Sequence, residues 1–251
     1  MSRRLRNLAT DLAAISCLLL LWYVAAAASW VPPAFVPSPV AVYQRLISGF
    51  ADGSLLVETA RTVIAMLAGW FACSLLGIVV GSIIGIWPLA RQSLGPVLEI
   101  FRPMPPAAVI PIAIAIFGLS PEMSLVVVLF GAIWPALLAT VHGFSSVEPR
   151  LKEVGQALTL SPLAFIWKIA LPNATPDIIA GMRLSLVVSL VLVVITDMIT
   201  GQPGLGSLVV LASRTFDMAG LFAGLVLLSL IGLISNAAIV AVERRLLAYQ
   251  R

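Results

Sequence analysis

Charged residues are scarce in this chain of 251 residues, and their scarcity excludes a soluble globular domain. Only 10% of the residues are Asp, Glu, Lys or Arg, whereas 61% are hydrophobic and the mean hydropathy is +1.09. A soluble domain carries roughly 25% charged residues. Because a soluble globule could not bury this much apolar surface, the composition indicates a polytopic membrane protein.

Lysine and histidine are almost absent, which excludes two kinds of catalytic site. A nucleotide-hydrolysing loop needs Lys directly after Gly, but Lys152 follows Leu151 and Lys168 follows Trp167. With His142 as the one histidine, neither a histidine metal cluster nor a His-based triad can form. We expect no enzyme activity, no catalytic residue and no cofactor. If the protein does energy-dependent work, the energy must come from another subunit or from an ion gradient.

Cysteine is scarce as well. Cys17 and Cys73 both lie in apolar runs, and their spacing matches no metal-binding pattern. We therefore predict that they are small apolar packing residues, with no disulfide and no metal site.

The apolar runs predict six transmembrane helices. The first, over about residues 10–30, follows a basic head and meets prolines rather than a clear cleavage site, which favours a retained span over a signal peptide. The other five are Thr59–Trp87, the short Ala107–Phe117 interrupted by Pro111, Met123–Val141 kinked or ended near Pro135, Ile178–Ile199 and Ala219–Val242.

The segments between these spans have their own patterns. Val40–Phe50 is predicted to be a short amphipathic interfacial piece, Trp87–Pro106 a loop, and Gly201–Gly206 a glycine-rich turn. Within the second span, Gly77, Gly81 and Gly85 recur every four residues, which predicts a ridge for close helix packing.

The cations indicate the orientation of the spans. If the N-terminus is cytoplasmic, the outer side holds only Arg45, Arg61 and Arg214. The inner side then holds Arg3, Arg4, Arg6, Arg91, Arg102, Arg150, Lys152, Lys168, Arg183, Arg244, Arg245 and Arg251. This asymmetry predicts cytoplasmic termini, and it explains the net charge of +4 better than a nucleic-acid-binding patch does.

A polar stretch, Arg150–Leu184, separates two apolar runs. Its charges and prolines exclude most of it from hydrocarbon, so Arg150–Pro176 is predicted to lie in the cytoplasm. Glu153 opens an amphipathic turn, and Ser161-Pro162 predicts the start of a second short helix. The apolar face of that helix would be formed by Leu163, Phe165, Ile166 and Ile169. The stretch is either an inert loop or a docking element for another protein.

Asp197 is an ionisable residue near the outer end of an otherwise apolar span. Such a residue is a candidate for the translocation pathway, although an interfacial carboxyl that is hydrated or bonded to a neighbour is the simpler interpretation. The short, proline-interrupted Ala107–Phe117 is a second candidate wall of a pathway.

The polar stretch resembles the "EAA" signature of permease subunits of type I ABC importers. Glu153 matches the Glu of the signature, Val154-Gly155 replace its Ala pair, and Ile169 to Pro172 match its close. The chain departs from the signature at Thr159, which falls on the family's glycine.

Other motifs are similar to the nitrate/sulfonate/taurine branch of these permeases, and the resemblance covers roughly residues 55–245. The matching segments are Arg102 to Ala107, Ile110-Pro111, Phe117-Gly118 and Met198 to Gly206. That branch has Glu at the position of Asp197.

The resemblance implies an all-α polytopic membrane protein with six transmembrane helices and the MetI-like architecture, in the bacterial inner membrane. Residues 1–57 would form an N-terminal helix with a periplasmic or interfacial segment, residues 58–245 the permease core with a coupling loop over 143–176, and residues 246–251 a cytoplasmic tail. The implied partners are a second permease chain in a homodimer, two cytoplasmic ATPases, a periplasmic or lipid-anchored solute-binding protein and the lipid bilayer, without nucleic acid.

The resemblance also implies site residues. Apolar ATPase contacts are expected from Leu160, Leu163 and Phe165, with Glu153 either orienting the motif or pairing with a cation of the partner. The full coupling set is Glu153, Gly155, Ala157, Thr159, Leu160, Ser161, Pro162, Leu163, Phe165, Leu171 and Pro172. The candidate pathway set is Arg102, Pro103, Pro105, Pro111, Met182 and Asp197.

Two other classes stay open at this point: a secondary transporter or channel driven by an ion gradient, and a membrane scaffold that transports nothing. A gradient-driven transporter needs acids or histidines buried in several spans, and neither class explains Arg150–Pro176. Nitrate, sulfonates, taurine, thiamine precursors and aromatic acids are all possible solutes.

Overall fold

The computed structural model describes residues 3–28, 32 and 35–246, and every regular element in this part of the chain is a helix. The α-helices are α1 (Arg3–Ala27), α2 (Pro39–Ala51), α3 (Ser54–Ile86), α4 (Pro88–Phe101), α5 (Ile110–Phe117), α6 (Pro121–Ser145), α7 (Pro149–Ala157), α8 (Pro162–Phe165), α9 (Leu171–Thr200), α10 (Leu205–Arg214) and α11 (Met218–Leu246). A 3₁₀ helix (Pro106–Val109) precedes α5, and a π-helix (Ile166–Ala170) joins α8 to α9. The predicted all-α class is confirmed.

Four helices of the described part are long and apolar enough to cross a membrane: α3, α6, α11 and the continuous Pro162–Thr200. Helix α4 and the segment Pro106–Phe117 are bent by 84° to one another, as in a broken span or a re-entrant loop. These elements coincide with five of the six predicted spans. The first predicted span lies on α1, whose described apolar part is the shorter Ser16–Ala27; residues 29 and 30 lie outside the described residues.

The continuous helix is longer than a bilayer is thick. Pro162–Thr200 has 39 residues, which gives about 58 Å at the usual rise per residue. Because a hydrocarbon core measures about 30 Å, the first turns of this helix can project from the membrane. The polar stretch is therefore compatible with a location outside the hydrocarbon.

The predicted glycine ridge of α3 is confirmed as its packing surface against α6. A methyl group added at Gly81 would lie 2.7 Å from the carbonyl oxygen of Leu137, and one at Gly85 would lie 2.8 Å from Cβ of Phe144. At Gly77 the nearest atom would be the Leu137 nitrogen at 3.0 Å. Only a hydrogen at these positions lets the two backbones approach this closely.

Pro135 does not end α6, contrary to one of the two outcomes that the sequence predicts for it. The helix runs through this residue to Ser145. Helix α9 supplies the reason, because the Ala136 N–H donates a hydrogen bond of 3.1 Å to Oγ of buried Ser185. A proline inside a membrane helix is tolerated where a neighbouring helix satisfies the backbone groups that it frees.

The prediction of a loop over Trp87–Pro106 is wrong, because Pro88–Phe101 forms α4. Pro88 occupies the first turn, where its missing N–H costs nothing and its fixed φ favours the helix. The exposed apolar side chains of α4 include Leu89, Val97 and Ile100. Gly95 and Pro96 usually break helices, so local sequence alone does not predict this one.

Pro111 does not interrupt a helix either. It lies in the first turn of α5 and begins that helix. The change of direction comes earlier, at Arg102–Pro105 and the 3₁₀ turn of Pro106–Val109. The predicted short piece at Val40–Phe50 lies within the helix α2, where Oγ of Ser38 accepts a hydrogen bond of 3.2 Å from the Ala41 N–H. Its interfacial location stays a prediction.

Candidate functional site

The polar stretch folds as a helical hairpin, formed by α7, a turn at residues 158–161, and α8. The turn depends on Thr159, whose φ of +49° lies in the left-handed region. The Thr159 N–H donates to the Gln156 carbonyl at 2.9 Å, and the Leu160 N–H donates to the Gly155 carbonyl at 3.0 Å. These bonds satisfy carbonyls at the end of α7, as helix-closing motifs do. The tight turn thus forms with threonine where the signature has glycine.

Ser161 and Pro162 begin α8 as predicted. Oγ of Ser161 accepts a hydrogen bond of 3.3 Å from the Ala164 N–H, and Pro162 occupies the first helical position. This cap satisfies an N–H that would otherwise lack a partner. A local sequence signal therefore fixes the second arm of the hairpin.

Gly155 and Phe165 hold the two arms of the hairpin together. Gly155 is buried, and a methyl group added there would lie 2.7 Å from Cδ2 of Phe165. The ring also packs on the apolar cluster formed by Phe144, Val147, Ala170, Ala174 and Ile178. The structure packs the Phe165 ring within the chain, where it anchors the hairpin to α6 and α9. The ATPase contact that the resemblance implies for this half-buried residue stays a prediction.

The tip of the hairpin carries exposed apolar side chains. Leu158 is 63% exposed and Leu163 is 69% exposed. Val154 is exposed about one turn before Leu158 on α7, and Trp167 is exposed about one turn after Leu163, on the π-helix that follows α8. We call Val154, Leu158, Leu163 and Trp167 the tip patch. Apolar side chains clustered on a polar segment are typical of a protein-binding surface.

The structure gathers the whole predicted coupling set in this hairpin and the helix that follows it. Gly155 is buried, and Leu160, Phe165, Leu171 and Pro172 are half-buried. The exposed members are Glu153, Ala157, Thr159, Ser161, Pro162 and Leu163. Among the described residues, the ion pairs are Arg45–Asp217 and Arg61–Glu58, so the Glu153 carboxylate has no cationic partner there.

The predicted pathway residues are spread over separate elements. Arg102, Pro103 and Pro105 are exposed between α4 and the 3₁₀ helix, and Pro111 is exposed on α5. Met182 is half-buried on α9, and its carbonyl accepts a hydrogen bond of 2.8 Å from Trp70 Nε1. Asp197 lies about four turns further along α9.

Asp197 is buried rather than hydrated, with 5% of its surface exposed. Its Oδ2 has no hydrogen-bond partner among the described residues. Gly204 packs against this oxygen, and a methyl group added at Gly206 would lie 2.8 Å from Cβ of Asp197. The glycine-rich turn is therefore pressed against the carboxyl.

Thr62 on α3 fixes the same turn from the other side. Its Oγ1 accepts a hydrogen bond of 2.8 Å from the Leu205 N–H, and both residues are fully buried. Thr62 and its neighbour Glu58 carry no signal in the sequence, because only the folded chain brings α3 to this turn. The carboxyl group of Glu58 lies beside this region, and its buried Oε2 has no hydrogen-bond partner in the described part of the chain.

A cavity of about 530 Å³, which we call the outer cavity, opens beside Asp197 between α3, α6, α9 and the glycine-rich turn. Its charged lining residues are Arg61, Glu122 and Asp197. Gln202 closes one side, where its Nε2 donates to the Ser120 carbonyl at 3.0 Å and its Oε1 accepts from Ser124 Oγ at 3.2 Å. The cavity has the size of a small-molecule site.

Comparison with known proteins decides the family. Residues 74–248 match the family model described as "Binding-protein-dependent transport system inner membrane component". The chain belongs to this family. The match includes the helical hairpin and Asp197. The protein is therefore a multi-pass membrane permease component of the ABC importer type, and the resemblance inferred from the sequence is confirmed.

Known permeases of the nitrate/sulfonate/taurine branch are similar to this chain. The chain is 28% identical over 246 residues to the taurine transport system permease protein TauC of Escherichia coli (strain K12), covering 96% of this chain and 90% of that one. It is 28% identical over 188 residues to the nitrate import permease protein NrtB of Leptolyngbya laminosa, covering 75% and 67%. It is 26% identical over 234 residues to the putative aliphatic sulfonates transport permease protein SsuC of Bacillus subtilis (strain 168), covering 92% and 83%.

The fold is also that of a solved permease. A chain of the MetNI methionine ABC transporter, in an inward-facing conformation, superposes with a TM-score of 0.68 at 19% identity, covering 76% of this permease and 95% of that chain. At this level of identity the match establishes the fold alone, and it confirms the predicted MetI-like architecture.

Proposed function

We propose that this permease forms, with a second permease chain, the translocation pathway of an ATP-driven importer. Its solute would be small and carry an anionic group, as taurine, nitrate and sulfonates do, and an external binding protein would deliver it. The observation that carries this proposal is the anchored hairpin with its exposed apolar tip patch, in a chain that has no nucleotide-binding loop of its own.

The tip patch is proposed to bind a cytoplasmic ATPase. Leu158 and Leu163 expose most of their apolar surface on a segment that the cation distribution assigns to the cytoplasm. Burying an exposed leucine contributes roughly 1.5–3 kcal/mol. An ATPase cleft that covers these side chains would gain that stabilisation, and the exposed Glu153 carboxylate could pair with a cation at its rim.

The packing of the hairpin supports a role in transmitting motion. Gly155 packs on Phe165, and Phe165 packs on α6 and α9, so we expect a shift of the tip to be passed to the helices behind it. The second arm continues without interruption from Pro162 to Thr200, which connects the tip to the outer end beside Asp197. Closure of an ATPase dimer would draw two such hairpins together and rock both bundles between inward and outward access.

Ala157 offers the most direct test of this coupling. Ala157 is exposed on α7 close to the turn. The Ala157→Trp variant should therefore fold normally, but its indole ring should obstruct binding of the hairpin in the ATPase cleft. In proteoliposomes containing the permease, its ATPase and its binding protein, we expect uptake of labelled taurine, nitrate or an alkylsulfonate to fall at least about tenfold while ATP hydrolysis persists. Ala51→Trp, an exposed position on α2, serves as the matched control. Normal uptake by Ala157→Trp would refute the proposal.

A further inference from the structure

Arg183 is a charged residue within the apolar part of α9, and the described chain gives it no counter-ion. Its Nε donates a hydrogen bond of 2.7 Å to Oδ1 of Asn236 on α11. In the part of the chain that the structure describes, Nη1 and Nη2 have no hydrogen-bond partner, and the ion pairs are those of Arg45 and Arg61. The positive charge and most of the N–H donors of Arg183 therefore stay available to a group from outside the chain.

The bond to Asn236 fixes the depth of this charge. Toward the ends that the cation distribution assigns to the cytoplasm, the nearest charged residues are Asp177 on α9 and Glu243 on α11. Arg183 and Asn236 lie about 10 Å inside those residues at the usual rise of a helix. Because Asn236 holds Nε at this depth, the side chain does not extend to the lipid headgroups as a free arginine near the membrane surface does.

The surface beside Arg183 is an exposed face of α9. This helix packs on α3, α6, α10 and α11, and these contacts leave a row of exposed residues that we call the open face: Ala180, Leu184, Val187 and Val191. Residues three or four positions apart are neighbours on a helix, so Arg183 adjoins the open face at Ala180 and Val187. A charged side chain at this depth is costly in hydrocarbon, and such residues face protein or a water-filled cavity.

We propose that the open face of α9 lines the translocation pathway and that Arg183 binds the anionic group of the solute there. Nη1 and Nη2 present adjacent donors, which suit the paired oxygens of an oxyanion. Asn236 is a positioning residue, because it holds the guanidinium group through Nε. This inference rests on the proposed transport function and adds to it the residue that selects for negative charge.

Thiol labelling tests both the face and the charge without knowledge of the solute. In a background without Cys17 and Cys73, Val187→Cys places a thiol one helical turn from Arg183. Inside-out vesicles that contain the permease–ATPase complex receive a methanethiosulfonate that carries either a sulfonate or a trimethylammonium group. Both probes should react, because the open face is in contact with water. Arg183→Gln should lower the ratio of anionic to cationic labelling rates at least about tenfold, since loss of a charge about 6 Å away changes the two rates in opposite directions.

Two controls are matched to these variants. Ile234→Cys places a thiol on the far side of α11 from Asn236, where Ile234 is 65% exposed. This thiol should face lipid and react with neither probe. Arg214→Gln removes an exposed cation from α10 at the outer end, and it should leave the labelling ratio at Val187→Cys unchanged.

Two further variants separate charge from structure. Asn236→Asp keeps the size of the side chain but gives Arg183 a carboxylate partner, so it should also lower the labelling ratio at Val187→Cys. In proteoliposomes with the ATPase and the binding protein, Arg183→Gln should lower uptake of labelled taurine, nitrate or an alkylsulfonate at least about tenfold. Arg183→Lys keeps the charge and should retain more uptake than Arg183→Gln does.

The outcomes separate this inference from the proposed function. No reaction at Val187→Cys, equally fast reaction at Ile234→Cys, or a labelling ratio that Arg183→Gln leaves unchanged would overturn the inference and leave the ATP-driven importer standing. If Arg183→Gln does not assemble, the labelling ratio in Asn236→Asp decides in the same way. A permease that never associates with an ATPase would contradict the proposed function itself.

Discussion

At the scale of single residues, Thr159 shows that a departure from a family motif need not change the local fold. The residue adopts φ +49° and closes α7 as a glycine would. A β-branched side chain in this region is strained, at a cost of about 1–2 kcal/mol. Packing of Phe165 on Gly155, which brings the two arms together, can hold the turn against that cost.

Thr159→Gly should therefore be tolerated. Glycine adopts the left-handed region without strain, so uptake should stay within about twofold of wild type and thermal unfolding in detergent should occur at an equal or higher temperature. Thr159→Pro should abolish uptake, because proline fixes φ near −65°. Loss of uptake in Thr159→Gly with the ATPase still bound would mean that the threonine side chain itself is needed.

The Gly155–Phe165 contact predicts a measurable coupling between the two positions. Gly155→Leu should lower thermal stability, since overpacking costs about 1–3 kcal/mol. Phe165→Ala removes the ring that the new side chain meets, so the double variant should recover part of the loss. A double-mutant cycle on the temperature of unfolding should give an interaction energy of roughly 0.5–3 kcal/mol. Strictly additive effects would show that the two residues do not pack together.

At the scale of helices, the sequence predicts those elements whose ends are determined by residues next to them in the chain. Ser161-Pro162 begins α8, and the long apolar runs gave α3, α6 and α11. Helix α4 was missed because Gly95 and Pro96 indicate a loop when only local sequence is considered.

Long-range contacts account for what the sequence alone could not predict at the candidate site. The helical hairpin could be located from the signature residues, but the inward packing of Phe165 depends on α6 and α9. The surroundings of Asp197 depend on Thr62, more than a hundred residues earlier in the chain. The continuity of α6 through Pro135 depends in the same way on Ser185 of another helix.

Ser185→Ala tests the support that α9 gives to α6. The Ala136 N–H would lose its acceptor, and a hydrogen bond between membrane helices contributes about 0.6–1.7 kcal/mol. We expect a lower temperature of unfolding in detergent and no such shift for Ser213→Ala, an exposed serine on α10. An unchanged transition in Ser185→Ala would show that the proline site is satisfied in another way.

At the scale of the whole molecule, the distribution of exposed apolar side chains fits one half of a larger assembly. Large apolar side chains are exposed along α3, α4 and α11, as expected for contact with lipid or with a second permease chain. The polar hairpin and the outer cavity lie at opposite ends of the helix Pro162–Thr200. This arrangement fits a permease that is driven from one side and loaded from the other.

The orientation can be measured by cysteine labelling. In a background without Cys17 and Cys73, Leu158→Cys at the tip and Ala51→Cys on α2 both provide exposed thiols. For the permease expressed alone, a membrane-impermeant maleimide should label Leu158→Cys only in inside-out vesicles and Ala51→Cys only in right-side-out vesicles. The opposite pattern would place the tip patch on the outer face, beyond the reach of an ATPase.

Co-purification of the tagged permease from its native membrane, with mass spectrometry of the proteins that accompany it, shows whether an ATPase binds the hairpin. We expect a P-loop ATPase in one-to-one ratio with the wild-type permease, and we expect the Leu163→Asp variant at the tip to lose it. It should be retained in Leu119→Asp, an equally exposed leucine between α5 and α6. A permease that purifies without an ATPase and still moves solute in liposomes without ATP would refute the ATP-driven importer and favour a gradient-driven transporter.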